Sequence, residues 1–258
     1  MSQVIAVVNQ KGGVGKTTTA VNLGAYLAKA GKMVLLVDMD PQGNASSGVG
    51  IAHKTLARGV YETLVTDVQF NEVIYDIKRA RYQLAPSTLS LAGANVELVN
   101  IPRREFRLAE EMSSVRNSYD YVIIDCPPSL SLLTINSLVA ADSVLIPVQC
   151  EYYALEGLGQ LVDTINLVKQ NIRPDLYIMG ALLTMYDYSQ RLSDAVMMEI
   201  YKYFPNNIFR TVIPRNIKLA EAPSHGLTIL EYDKRCKGAK AYERLSKELI
   251  EVTDNGKI

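Results

Sequence analysis

The chain has 258 residues, 48% of them hydrophobic, enough to bury a large core and suited to one α/β domain over residues 1–258. Its 27 Lys/Arg balance 27 Asp/Glu, so no whole-protein field draws it toward nucleic acid or anionic lipid. The cysteines Cys126, Cys150 and Cys236 are too scattered for a disulfide framework, lack any C-x-x-C pairing, and imply a reducing cytoplasm.

Met1-Ser2-Gln3 leads straight into an apolar run over 4–8, so no signal peptide is expected. That run predicts a strand, and Lys11-Gly12-Gly13-Val14-Gly15-Lys16-Thr17-Thr18 follows it. Glycines let the main chain approach phosphate oxygens that side chains would fend off, and closely spaced amides then cradle the anion. The loop feeds a helix expected over 16–30, whose N-terminal dipole faces the same anion. Lys16 supplies a cation for the β and γ phosphates of a nucleotide, and the Thr17 hydroxyl a ligand for Mg²⁺. The usual pattern has a glycine five residues before Gly15, where this chain has Gln10; an extra lysine, Lys11, stands inside the loop instead.

Further strands are expected over 33–37, 82–85, 121–124, 143–148, 177–183 and 211–213. Helices are expected over 103–116, 130–140, 154–170, 189–203 and 239–252. Several strands are continuously apolar, as they are when helices cover both faces of a parallel sheet. The alternation predicts an α/β fold with a doubly wound, mostly parallel sheet and helices on both faces. Ligands in such folds gather at the carboxyl ends of the strands. Asp38 and Asp40 follow the second strand there, and Asp125 follows the strand over 121–124. Residues 43–58 have loop-like composition and no assigned conformation. The uncharged stretch over 126–141 begins near two prolines and falls short of the ~20 apolar residues a membrane span requires.

A carboxylate ending an apolar strand is suited to Mg²⁺, held directly or through water, which makes Asp125 the second metal candidate beside Thr17; a capping role before Pro127 is the alternative. Asp40 is the candidate for orienting an attacking water; an Asp-Pro turn is its alternative. Lys11 is open to two readings, the simpler being a second cation for its own nucleotide.

The loop, together with the DPQGN segment at Asp40 to Asn44, the Asp125-Cys126-Pro127-Pro128 segment and Ile213-Pro214-Arg215-Asn216, resembles the ParA/MinD family of P-loop ATPases, the Soj-type partitioning branch in particular. The resemblance runs from Val4 to about Leu249. It implies that Asp40 rather than Asp38 positions the water, Asp38 supporting the metal shell or the loop. It implies that Lys11 reaches the partner's phosphates in an ATP sandwich homodimer. Pro214 and Asn216 are implied to contact adenine, which favours ATP and its product ADP over guanine nucleotides.

Between Lys202 and Lys247 there are 10 Lys/Arg against 4 Asp/Glu, which suits salt-sensitive contact with a polyanion or, equally, a solvated surface. The resemblance favours the first. It implies non-specific double-stranded DNA as one partner and a ParB-type centromere-binding protein as another, with a nucleoid-associated location. The expected DNA contacts are Arg191, Lys202, Arg215, Lys218, Lys234, Arg235, Lys237 and Lys240. A MinD-like membrane regulator would need exposed apolar residues on a basic terminal helix. Tyr242, Leu245, Leu249 and Val252 do form a stripe, which is read as core-facing, so no stable membrane anchor is expected. A metal-cluster component resembling the nitrogenase iron protein would need cysteines converging at a dimer axis.

Overall fold

Seven short runs pair into one sheet in the computed structural model, which describes residues 2–151, 157–187, 191–205 and 207–255 and the side chains of all of these except 191–196 and 255. The strands are β1 (Gln3–Val7), β2 (Val34–Asp38), β3 (Tyr75–Ile77), β4 (Tyr82–Ala85), β5 (Tyr121–Asp125), β6 (Ser143–Gln149) and β7 (Tyr177–Thr184). Their order is β3-β4-β2-β5-β1-β6-β7. All neighbours run parallel except β3 and β4. This is the doubly wound arrangement that the alternating pattern predicts.

Alternation along β1 divides the core. Val4, Ala6 and Val8 join the cluster on one face, and Ile5 and Val7 the cluster on the other. The Lys16–Lys29 helix packs against the second face with the terminal Lys237–Asn255 helix, which buries Tyr242, Leu245, Leu249 and Val252. Each such side chain contributes about 1.5–3 kcal/mol when fully buried. The Arg107–Met112, Leu132–Ala140, Leu158–Asn171 and Arg191–Tyr203 helices cover the first face.

Two expectations need correction. The helix expected over 103–116 is only Arg107–Met112. Arg103 sits at φ 55, which breaks it early, and the Ser113 hydroxyl donates to the Glu110 carbonyl at 2.6 Å, closing its end. No strand forms over 211–213. The stretch meets β7 and the residues after it in isolated bridges, Ala181 with Ile208 and Tyr186 with Pro214, and Ile213 alone of residues 211–213 joins them, donating its amide to the Leu183 carbonyl at 2.8 Å. Glu248 from the terminal helix takes the N–H groups of Arg210 and Thr211, at 2.6 and 2.9 Å, that a ladder would use. Residues 43–58, loop-like in composition, contain an Asn44–Gly48 helix and a His53–Thr55 3₁₀ turn. The starts of the helices expected over 154–170 and 189–203 lie outside the described residues.

Candidate active site

Strand register brings the candidate residues together. β1 lies between β5 and β6, and β5 lies between β1 and β2, with Val7 paired to Asp125 and Asp38 paired to Asp125. Both aspartates therefore end their strands level with the point where the glycine loop begins. They are the last residues of β2 and β5 rather than the residues after them.

The loop opens on a cavity of about 440 Å³ lined by Gly12, Gly13, Gly15, Lys16, Thr17 and Asp40 among others. A Cβ on Gly12 or Gly13 would meet no protein atom within 4 Å, so the main chain here faces open space. Gly13 and Gly15 have φ of 76 and 89, which L side chains resist. No side chain caps the Lys16–Lys29 helix, and its first N–H groups are left for whatever enters the cavity. Thr184 at the end of β7 fastens the loop by donating its hydroxyl to the Val14 carbonyl at 2.8 Å.

Lys16 is buried, and its Nζ donates to the Lys11 carbonyl at 3.0 Å. Burial pulls its ammonium below the usual lysine range, against the pull of Asp125, Cys126 and Asp40, which favour the charge. Asp125 is fully buried and neither of its carboxylate oxygens has a hydrogen-bond partner. Burial and then the Asp38 charge push its carboxyl well above the usual range; the nearby Thr17 hydroxyl and Lys16 ease it without giving either oxygen a well-formed hydrogen bond. Burial also raises Asp38, to about 6, although it accepts from the Ser46 amide at 2.8 Å, the Ser46 hydroxyl at 2.6 Å and the Asp40 amide at 3.2 Å. Asp40 accepts from the Gln42 amide at 2.9 Å and lines the cavity.

Three carboxylates against one ammonium leave this pocket short of positive charge, and an orphaned buried carboxylate is a place for a cation. The residues present fit Mg²⁺. Among the described residues no cluster of three or more His, Cys, Asp or Glu could hold a metal by itself, so most ligands would come from phosphates and water, as Mg²⁺ prefers.

A second cavity, about 370 Å³, joins the first at Gly15, Thr18 and Met185 and is lined by Pro214, Arg215, Asn216 and Tyr242. Asn216 also caps the Ile217–Glu221 helix by accepting from the Lys218 amide at 3.0 Å. Lys11 is removed from the first cavity. Its Nζ lies 4.0 Å from Glu151, whose other oxygen accepts from Arg215 at 3.2 Å. Sequence reasoning missed Met185, a non-glycine residue at φ 52 that lines both cavities, and with it Thr184, Ser46 and Glu151. The carboxyl-end rule for β6 and β7 was the available signal for Thr184, Met185 and Glu151. Cys126 and Cys150 are buried, and burial pushes each thiol up to about 12.

Three of the eight expected DNA-contacting cations are already engaged. Lys202 pairs with Glu199, Arg215 with Glu151 and Lys218 with Glu221. Lys234, Arg235, Lys237 and Lys240 are exposed and have no acidic partner among the described residues. The side chain of Arg191 lies outside the described residues.

A glycine-lined, amide-rich loop between a parallel strand and a helix, with a buried lysine and strand-end aspartates around it, defines a P-loop nucleotide-binding protein. The family model for an AAA domain matches residues 2–178. The sporulation initiation inhibitor protein Soj of Bacillus subtilis is 54% identical over 249 residues, covering 96% of this chain and 98% of that protein. The chromosome partitioning protein ParA of Myxococcus xanthus is 51% identical over 250 residues, covering 97% and 88%. Among solved structures, cobyrinic acid a,c-diamide synthase from Mycobacterium smegmatis with bound ATP analogue and magnesium superposes with a TM-score of 0.89 at 36% identity, covering 100% of this chain and 98% of that one. The chain belongs to the ParA/Soj family of partitioning ATPases.

Proposed function

We propose that this chain is an ATP-driven DNA segregation switch. The amides of residues 12–18 hold the triphosphate, and Lys16 leaves the Lys11 carbonyl to sit between the β and γ phosphates. Thr17 and, through water, Asp125 hold Mg²⁺, which neutralises charge building on the phosphate oxygens. Asp40 accepts a hydrogen bond from a water and aims it at the γ phosphorus; the bond to the bridging oxygen breaks, giving ADP and phosphate. Adenine occupies the adjoining cavity against the Pro214 main chain and the Asn216 side chain. Lys11, partly exposed at the rim, reaches the phosphates of a second copy, so ATP pairs two chains.

The paired form binds double-stranded DNA without reading its sequence, and a ParB-type partner speeds hydrolysis and release. Lys237, Lys240, Arg244 and Lys247 follow one another at spacings of three, four and three residues, along one face of the terminal helix. They are exposed, Lys247 standing near the Glu243 charge and the other three without an ion pair among the described residues, with Lys234 and Arg235 at the head of the row. The row runs about 15 Å, which suits successive phosphates of a duplex. A cytoplasmic, nucleoid-associated protein is the setting this implies. The membrane reading is not favoured, since the apolar stripe of the terminal helix is spent in the core, and no described helix is long and apolar enough to cross a membrane.

The convergence of Lys16, Asp40 and Asp125 on an open glycine loop carries this reading. Co-sedimentation tests it: Mg-ATP should bring the chain down with random-sequence DNA and not with anionic vesicles. Recruitment to vesicles alone would reverse the assignment.

A further inference from the structure

Glu151 stands just beyond the carboxyl end of β6 and faces two cations that the function uses separately. Its Oε2 lies 4.0 Å from the Lys11 ammonium and its Oε1 accepts from the Arg215 guanidinium at 3.2 Å. The carboxylate does not hang free, because Gln149 donates to the same Oε1 at 2.7 Å. Glu151 is therefore held opposite Lys11, with Lys11 and Arg215 competing for one charge.

We propose that Glu151 is a positioning residue, an internal counter-ion that keeps Lys11 on its own subunit and sets the threshold that ATP must exceed to pair two chains. The proposal rests on the paired-subunit reading above. For Lys11 to reach the phosphates of a second copy it must leave Glu151, and phosphate offers several charges where Glu151 offers one shared with Arg215. The contact is half exposed, so each pair is weak. Symmetry compounds it: two copies break two contacts per dimer, and the per-subunit factor is squared. Loss of the Glu151 charge then tightens nucleotide-dependent pairing by roughly three- to thirtyfold. The same loss leaves Arg215 unneutralised.

The test is the dimer dissociation constant by sedimentation, with Mg²⁺ and a non-hydrolysable ATP analogue, for wild type, Glu151→Gln and Glu151→Asp. At 0.1 M salt Glu151→Gln should pair roughly three- to thirtyfold more tightly than wild type, and Glu151→Asp, which keeps the charge, should lie near wild type. At 1 M salt, where the screening length is about 3 Å, the difference should vanish. Pairing by Glu151→Gln no tighter than wild type overturns the proposal, as does a gain that survives 1 M salt or is matched by Glu151→Asp. A wild-type chain that stays single with the analogue overturns the paired-subunit reading itself, which separates the two failures.

Discussion

The Lys16 ammonium donates to the Lys11 carbonyl at 3.0 Å, so the two lysines of the loop are joined through the main chain of one and the side chain of the other. The contact holds a buried cation across the mouth of the cradle that phosphate would enter. Lys16→Ala removes a charge-assisted contact to phosphate worth about 1.5–3 kcal/mol, or roughly 10- to 100-fold in affinity. Calorimetric titration with Mg-ATP checks this, and undiminished affinity would take Lys16 out of that role.

Asp40 lines the cavity and spends one oxygen on the Gln42 amide, leaving the other for a water. Asp40→Ala should bind ATP and pair with a second copy, yet hydrolyse about a hundredfold more slowly or worse. Phosphate release under single-turnover conditions decides it. Turnover at the wild-type rate rules the role out.

Asp38 gives the nucleotide-free protein a pH signature. Its folded carboxyl lies at about 6, above the usual value near 3.8, so the folded state holds a proton that the unfolded state gives up sooner. Stability from this group is full below pH ~4 and is lost as pH rises through about 6. The wild type should therefore lose stability relative to Asp38→Asn across that window. Parallel urea titrations from pH 4 to 7 report the difference, and a gap that stays constant would refute the buried, protonatable state of Asp38.

Gly43 opens the Asn44–Gly48 helix at φ 61, and a Cβ there would collide with the His53 ring. Gly43→Ala meets both the left-handed backbone penalty and that buried ring, at a cost of about 2 kcal/mol or more. Thermal melts should show a drop of several degrees. An unchanged midpoint would mean that the segment repacks freely around His53.

Much of this is legible in the amino-acid sequence. Largely apolar runs announced six of the strands, and the loop residues announced where the glycine-lined cavity lies. β3 escaped because its turn carries no glycine, proline or asparagine; Arg81 itself adopts φ 60 and donates its amide to the Ile77 carbonyl at 2.9 Å. Asp38 was visible as a strand-end aspartate, but its tie to Ser46, whose hydroxyl in turn accepts from the Ser87 amide at 3.1 Å, joins segments far apart in the chain. The Glu151 contacts to Lys11 and Arg215 are of the same kind. Local pattern carries no record of such pairings. Glu248 shows the cost of that blindness most clearly, since one buried carboxylate from the terminal helix takes the amides of Arg210 and Thr211 beside a stretch that composition alone reads as strand.

The central claim, that a triphosphate in this cradle joins two chains through Lys11, is tested most directly by light scattering with size exclusion. Mg-ATP should double the mass of the wild-type chain, ADP should not, and Lys11→Ala should remain single with either. A wild-type mass that stays single with Mg-ATP, or a Lys11→Ala chain that pairs as readily, would contradict the account.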